Sequence, residues 1–344
     1  MEYTAPGVVK LFGEHSVVYG RLAVAAAISL QAKATVEKVD ESNLVVTLAD
    51  LQKSRSFTYG ELVDLRERWK TQGRDFVAFA AAEEPKYGDF LPYAFIASRL
   101  LEQGVQVLGK RMSLASDIPI QKGLGSSGAM CTVFTVALVG KDGVLKDDEI
   151  IDVARDGERI RLRKPGAGGI DVSTSYYGGV VTFRSGRAEV AHVNTLPEIV
   201  LIDTGPKLDT NTMVGIFAKH VEAEKARGSS ETLDSMDKIA NLGLEALYRD
   251  DLGRIGTLMA ANQQRLKSAG VSSDSLDRAV DVGLAAGALG VKLTGGGGGG
   301  MAIAVTENPS ALIIAERGAG FDAYAAKIKN SGAKSGLLRL NRVA

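Results

Sequence analysis

The sequence is poor in the residues that carry redox and zinc chemistry. Cys131 is the single cysteine in 344 residues, which excludes an internal disulfide and suits a reducing cytoplasm. Its neighbours Met130, Val133 and Phe134 mark it as a packed helix residue rather than a nucleophile. Three histidines, His15, His192 and His220, stand far apart without companion cysteines, so no dedicated zinc site is expected. Neither sign of charge is in excess, Lys plus Arg and Asp plus Glu numbering 41 each. No global field therefore favours nucleic acid or an anionic membrane, and any positive potential must be local. The apolar run Leu22–Leu30 is too short to cross a bilayer, and MEYTAPG lacks the basic start and apolar stretch of a signal peptide; a cytoplasmic protein without a membrane partner is expected. The GxxxxGK[ST] pattern is also missing, which argues against a P-loop NTPase.

What is present is enough apolar material, 45% of residues, for two cores, and the pattern changes near residue 190. Before it, VVKLFGE, NLVVTLAD and GGVVTF read as strands. QAKATVEKV alternates Ala32, Ala34 and Val36 against Lys33, Thr35 and Glu37, and helical spacing covers Leu91–Leu101, Gly128–Val139 and Asp148–Leu162. Beyond it, EIVLID is followed by helical patterns over Thr210–Arg227, Glu231–Tyr248 and Ser275–Ala288. Strands VKLTG and MAIAV and a closing helix–strand alternation ending at GLLRL complete the chain. Residues 1–190 and 191–344 are the expected domains, with no internal repeat and no long linker.

Four stretches carry chemistry. In PIQKGLGSSGAM, Gly123, Gly125 and Gly128 let a ligand approach the backbone, the opening amides of the next helix favour an anion, and Ser126 and Ser127 offer hydroxyls to phosphate or magnesium. GLGSSG equally satisfies the GxGxxG pattern of dinucleotide folds, or caps a helix as a simple turn. Gly295–Gly300 reads as a linker by composition. Its flanks Val291, Leu293, Met301, Ile303 and Val305 instead place it inside packed strands, where close backbone approach explains the glycines. TAPGVVKLFGEHSVVYG crowds Lys10, Glu14 and His15 at a strand end, where they either bind a phosphate and a hydroxylated substrate or remain solvated. In KPGAGGIDVSTSYYGG, Asp171 serves as a base or as a helix N-cap.

Together, in this order, these stretches resemble the GHMP kinase superfamily, and within it the mevalonate kinases most closely. The resemblance implies a two-lobed α+β fold, with an N-terminal domain like domain 2 of ribosomal protein S5 and a ferredoxin-like C-terminal domain. It implies that Lys122, Gly123, Leu124, Gly125, Ser126 and Ser127 wrap the phosphates of ATP, with Ser116 near the nucleotide. Ser127 and Glu158 (in DGER) would hold Mg2+, Asp171 would be the catalytic base, and Lys10 would stabilise charge around it. Glu14, His15, Thr174 and Thr210 would line the acceptor pocket, with Gly296 and Gly297 shaping the cleft. Two departures stand out. Val8 follows APG where many members carry lysine, Lys10 lying on the same strand face, and Glu158 is two residues further from Asp171 than in animal members.

The implied activity is ATP-dependent phosphorylation of the 5-hydroxyl of mevalonate, in the mevalonate pathway of isoprenoid biosynthesis. Homodimers are common among such proteins. Phosphomevalonate, galactose or homoserine are the alternative acceptors within the superfamily. A nicotinamide oxidoreductase built on GLGSSG fits less well, because the loop begins past residue 120 rather than after the first strand. A catalytically dead scaffold fits poorly with intact Lys10, Ser127, Glu158 and Asp171.

Overall fold

The computed structural model describes residues 1–40, 42–140, 145–167, 169–193 and 198–339. Strand β1 (Glu2–Phe12) pairs antiparallel with β2 (Ala23–Lys38), whose first half is the apolar run noted above. β2 is buried without interruption from Ala23 to Ile28 and then alternates Ala32, Ala34 and Val36 inward, so it begins well before the expected QAKATVEKV segment. The reason is that its first half is covered on both faces, which erases alternation. Then come β3 (Leu44–Leu48), β4 (Lys53–Phe57), α1 (Tyr59–Thr71), α2 (Phe76–Tyr87), α3 (Leu91–Glu102) and β5 (Lys110–Ser116). α4 (Ser126–Val139), α5 (Asp147–Leu162) and α6 (Gly169–Tyr177) lead to the hairpin β6 (Val180–Arg184) and β7 (Arg187–Ala191). The first sheet runs β4-β3-β5-β2-β6-β7, with β1 beside β2, and only β3 and β5 are parallel.

The second half contains β8 (Ile199–Asp203), α7 (Thr210–Ala226), α8 (Glu231–Tyr248), α9 (Leu252–Ser268) and α10 (Asp274–Ala285). It continues through β9 (Gly290–Leu293), β10 (Met301–Val305), α11 (Pro309–Gly318), β11 (Asp322–Ala326) and α12 (Lys334–Arg339). Its sheet is β11-β8-β10-β9, antiparallel throughout. GLLRL is therefore helical as far as Arg339 rather than a closing strand. No helix among the described residues is long and apolar enough to cross a membrane.

β8 and β10 join the halves because they are apolar on both faces. Ile199, Leu201, Met301, Ile303 and Val305 belong to the core of the first sheet. Val200, Ile202, Ala302 and Ala304 point the other way, into a core with Met213, Phe217 and Leu276. The observed architecture is the expected α+β one. α4 is buried along almost its whole length, Thr132 and Thr135 returning their hydroxyls to the carbonyls four residues back, Gly128 at 2.7 Å and Cys131 at 2.8 Å. Cys131 is fully buried and its thiol pKa is pushed well above the ordinary range by that burial, in keeping with a packing role.

Candidate active site

The diserine segment forms a turn between β5 and α4. Gly123 (φ 89°) and Gly125 (φ 66°) adopt the left-handed conformation that a side chain resists. Leu124 is buried between them, and its carbonyl accepts from the Val8 amide at 2.9 Å, pinning the turn to β1. The first helical bond of α4 runs from the Ala129 amide to Gly125 at 2.9 Å. The amides of Ser126, Ser127 and Gly128 thus precede the intrahelical ladder, at the positive end of the helix dipole.

Two acids lie directly behind this turn. Ser127 Oγ donates to Glu158 Oε1 at 2.7 Å, and Glu158, on α5, is almost fully buried with Oε2 unpartnered. Burial first, and then the nearby Asp171 charge, raise its carboxyl pKa to about 7 against the Ser127 hydrogen bond. Asp171, in the first turn of α6, accepts from Lys10 Nζ at 2.5 Å. A Cβ on Gly128 would come 3.1 Å from Asp171 Cβ and 3.2 Å from Glu158 Oε1. The missing side chain at Gly128 is therefore what lets α4 pass both acids at this distance.

The end of β1 supplies the other wall. The Lys10 amide donates to Thr294 Oγ1 at 2.8 Å, joining the first strand to the segment before the hexaglycine run. Glu14 is buried in an ion pair with Lys292 and accepts from Asn262 Nδ2 at 3.1 Å. Lys292 Nζ also donates to the carbonyls of Leu293 at 2.6 Å and Lys10 at 3.3 Å. Burial pulls the Lys292 pKa down while Glu14 opposes that shift. His15 has φ 60°, stacks on Phe217 with ring centroids 5.0 Å apart, and meets the Gly296 carbonyl at 3.0 Å through Nε2. Because a carbonyl only accepts, Nε2 carries the hydrogen; burial lowers the ring's pKa to about 4, so it is neutral at ordinary pH.

The hexaglycine run is not a linker. Five of its six residues, all but Gly296, have left-handed φ. A Cβ on Gly297 would sit 2.1 Å from the Val271 carbonyl oxygen, and one on Gly299 2.1 Å from that of Pro206. The Gly298 amide donates to Val271 at 2.9 Å, and the Gly300 carbonyl accepts from the Thr204 amide and hydroxyl, both at 2.8 Å.

These parts surround one cleft of about 1630 Å³. Lys10, Glu14, His15, Gly123, Leu124, Gly125, Ser126, Ser127, Glu158, Asp171, Thr210 and Gly296 all line it. Four expected residues do not. The Lys122 ammonium is held by Asp203 at 2.6 Å and the Gly205 carbonyl at 2.9 Å. Ser116 Oγ accepts from the Ile118 amide at 3.2 Å, and its own amide bonds Asp50 at 2.9 Å. Thr174 is buried within α6, donating to the Ile170 carbonyl at 2.7 Å, and Gly297 faces Val271. The Glu14 carboxylate, although at the wall, is already paired. Sequence reasoning missed Lys207, Lys292 and Asn262. Lys292 carried a legible signal, a lysine inside the apolar strand VKL, since a buried cation requires a partner.

The donor set suits magnesium. Among the described residues no cluster of three or more His, Cys, Asp or Glu is placed to hold a metal by itself. The Ser127 hydroxyl and Glu158 Oε2, which has no partner among the described residues, are hard oxygen donors beside the amides that open α4. That pairing matches a cation taking its remaining ligands from phosphate and water. The dinucleotide reading of GLGSSG fails, because the turn follows a strand of a largely antiparallel sheet rather than the first strand of a parallel one.

Family models match at residues 92–179 (GHMP kinases N terminal domain) and 244–323 (GHMP kinases C terminal). The mevalonate kinase of Pyrococcus abyssi is 33% identical over 86% of both chains, and that of Thermococcus sibiricus 33% identical over 96% of both. The crystal structure of Methanococcus jannaschii mevalonate kinase superposes with a TM-score of 0.78 at 27% identity, covering 95% of this chain and 98% of that one.

Proposed function

We propose, from the premise that this chain belongs to the mevalonate kinase family of GHMP kinases, that it transfers the γ-phosphoryl group of ATP to the 5-hydroxyl of mevalonate. The observation that carries this reading is the convergence at Gly128, where the diserine turn, Glu158 and the Lys10–Asp171 pair meet within van der Waals reach. The free amides of Ser126, Ser127 and Gly128 bind the phosphates of ATP. Asp171 orients the acceptor hydroxyl and takes its proton, while Lys10 holds the carboxylate in place. The acceptor oxygen forms a bond to the γ-phosphorus as the bridge to the β-phosphate breaks, and the electron pair leaves on ADP. Ser127 and Glu158 would hold Mg2+, which when bound neutralises charge on the phosphates. His15, Thr210 and Gly296 line the cleft at what we take as its acceptor end, and neutral His15, its Nε2 hydrogen given to the Gly296 carbonyl, can accept a substrate hydroxyl through Nδ1 without adding charge. We also assign the lobes to residues 1–190 and 191–344.

ADP release measured over a panel of acceptors, with phosphorus NMR to locate the new ester, tests the reading. Mevalonate is the expected acceptor; a preference for galactose, homoserine or phosphomevalonate overturns the choice. Asp171→Asn should lower kcat by about 10³-fold while leaving ATP affinity nearly unchanged, and full turnover in that variant would remove Asp171 from the mechanism.

A further inference from the structure

Lys207 is a partly buried lysine on the cleft wall whose ammonium has no partner among the described residues. It lies in the loop after β8, which is laced to the hexaglycine run by Thr204 N–H to Gly300 at 2.8 Å and Leu208 N–H to Gly298 at 3.0 Å. Gly299 packs so closely on Pro206 that a Cβ there would be 2.1 Å from its carbonyl oxygen, and the Lys207 stem passes over Gly300. This backing fixes where the ammonium stands. It lies in a slot between the two glycine segments, 3.3 Å from where a Cβ on Gly296 would be and 3.7 Å from one on Gly123. Lys10, Lys122 and Lys292 each have a carboxylate partner. Lys207, on the cleft wall, makes neither a hydrogen bond nor an ion pair among the described residues. A partly desolvated charge without a partner is costly, and an anionic ligand in the cleft would offset that cost.

Resting on the kinase reading above, we propose that Lys207 is a further catalytic residue, which contacts the transferring γ-phosphoryl group from the hexaglycine side, across from the diserine turn. The choice of ligand follows from its neighbours. Gly123 opens the phosphate turn, and Lys10, whose field reaches Lys207, holds the acid that marks the acceptor hydroxyl. A cation bordering both lies on the line between donor and acceptor. Negative charge there is spread over the equatorial oxygens throughout transfer, so a preplaced ammonium stabilises it without reorganisation. Lys207 neither gains nor loses a proton in the step; the hydroxyl proton goes to Asp171 and the breaking bond's electrons to ADP.

The charged and titratable groups facing Lys207 are Lys10 from β1, His15 beyond it, Lys164 after α5, Asp171 from α6, and Asp209 in its own loop. Burial, then the repulsion of Lys10 and Lys164, lower the Lys207 pKa to about 8 despite the two aspartates. The uncomplexed site therefore holds a cation near the edge of its charged range, one that a bound phosphate would stabilise.

The test uses the full chain with ATP, magnesium and mevalonate. Lys207→Met should keep its melting temperature, hold KM for mevalonate within about threefold, and lose kcat by about 10²–10³-fold. Lys207→Arg should keep kcat within about tenfold. Wild type should show an alkaline fall in kcat/KM near pH 8, and Lys207→Arg should shift that fall to higher pH. A Lys207→Met variant with wild-type kcat overturns the proposal. So does one whose mevalonate KM rises tenfold or more with kcat intact, since that places the ammonium on the acceptor carboxylate. If the Met variant does not fold, the Arg profile decides alone, and an unmoved alkaline limb overturns it. Wild-type protein inactive with every acceptor would sink the kinase reading itself, whereas an active wild type beside an unaffected variant sinks only the role of Lys207.

Discussion

Gly123–Gly128 and Gly295–Gly300 look alike on paper and behave in opposite ways in the molecule. The first presents its backbone to the cleft. Its glycines are interleaved with side chains that anchor it (Leu124) or face the cleft (Ser126, Ser127), and two of its residues are left-handed. The second presents its backbone mainly to other backbone, with five left-handed residues and the carbonyls of Val271, Pro206 and Lys122 where side chains would be. The two also touch, a Cβ on Gly123 falling 2.9 Å from the Thr294 carbonyl oxygen and the Met301 amide donating to Lys122 at 3.1 Å. Glycine is thus used once to expose donors and once to bring the halves of the chain within backbone distance. Its conformational entropy cost, roughly 0.5–1 kcal/mol per residue relative to alanine, is offset differently in each.

The sharpest way to break this contrast is Gly299→Ala. With φ 113° and a carbonyl oxygen at 2.1 Å, the variant should lose about 3 kcal/mol or more, read by urea unfolding; a parental midpoint would show that the run is not packed. Ser127→Ala should do the reverse, costing at most about 1 kcal/mol of stability while lowering kcat by about 10–100-fold and raising the magnesium requirement. An unchanged magnesium titration would dismiss that ligand. Gly125→Ala lies between these extremes, its Cβ 3.1 Å from Val8 and 3.4 Å from Asp171 Oδ1 at φ 66°. It should cost about 1–2 kcal/mol of folding and weaken ATP binding, measurable by calorimetry.

The smallest effect tests a buried acid packed against a glycine outside both segments. A Cβ on Gly283 would be 2.9 Å from Glu316 Oε1, and both oxygens of the fully buried Glu316 lack partners among the described residues. Burial raises that carboxyl pKa from 4.5 to about 7, with Arg278 opposing. Between those values the folded chain keeps a proton that the unfolded chain has released. The group's contribution is therefore intact below about pH 4.5 and is lost as pH rises through 7. Glu316→Gln should match the parent in acid and be more stable above about pH 7 by roughly 1–2 kcal/mol, a difference that thermal melts at two pH values would reveal.

Much of this was legible because local pattern and local structure agree. The spacing of Gly128–Val139 and Asp148–Leu162 reports amphipathic or buried helices, and the flanks of Gly295–Gly300 announce packed strands. Hidden features depend on tertiary cover. β2 starts early because both faces of Ala23–Ile28 are buried, and GLLRL carries too short a pattern to distinguish helix from strand. The site shows the same division. Residue types at motif positions identified Lys10, Ser127, Glu158 and Asp171. Whether a side chain is already spent, as in Lys122 on Asp203, Thr174 on Ile170 or Glu14 on Lys292, depends on partners up to 278 positions away. Lys207 was missed for the complementary reason, because only the fold shows that it has no partner among the described residues.

The segment after β11 returns to the first sheet. Lys329 exchanges backbone bonds with Ala27 and Gly179 at 2.8 Å, and Ala333 donates to Ser175 at 2.9 Å, four residues beyond Asp171. The helix that carries Asp171 is therefore braced from two sides, by this late segment and by β1, where Ser175 Oγ donates to the Pro6 carbonyl at 2.7 Å. Loosening that far segment should unsettle the helix under Asp171 without touching any side chain of the cleft, so the closing part of the second sheet's lobe helps set how firmly the proposed base stands.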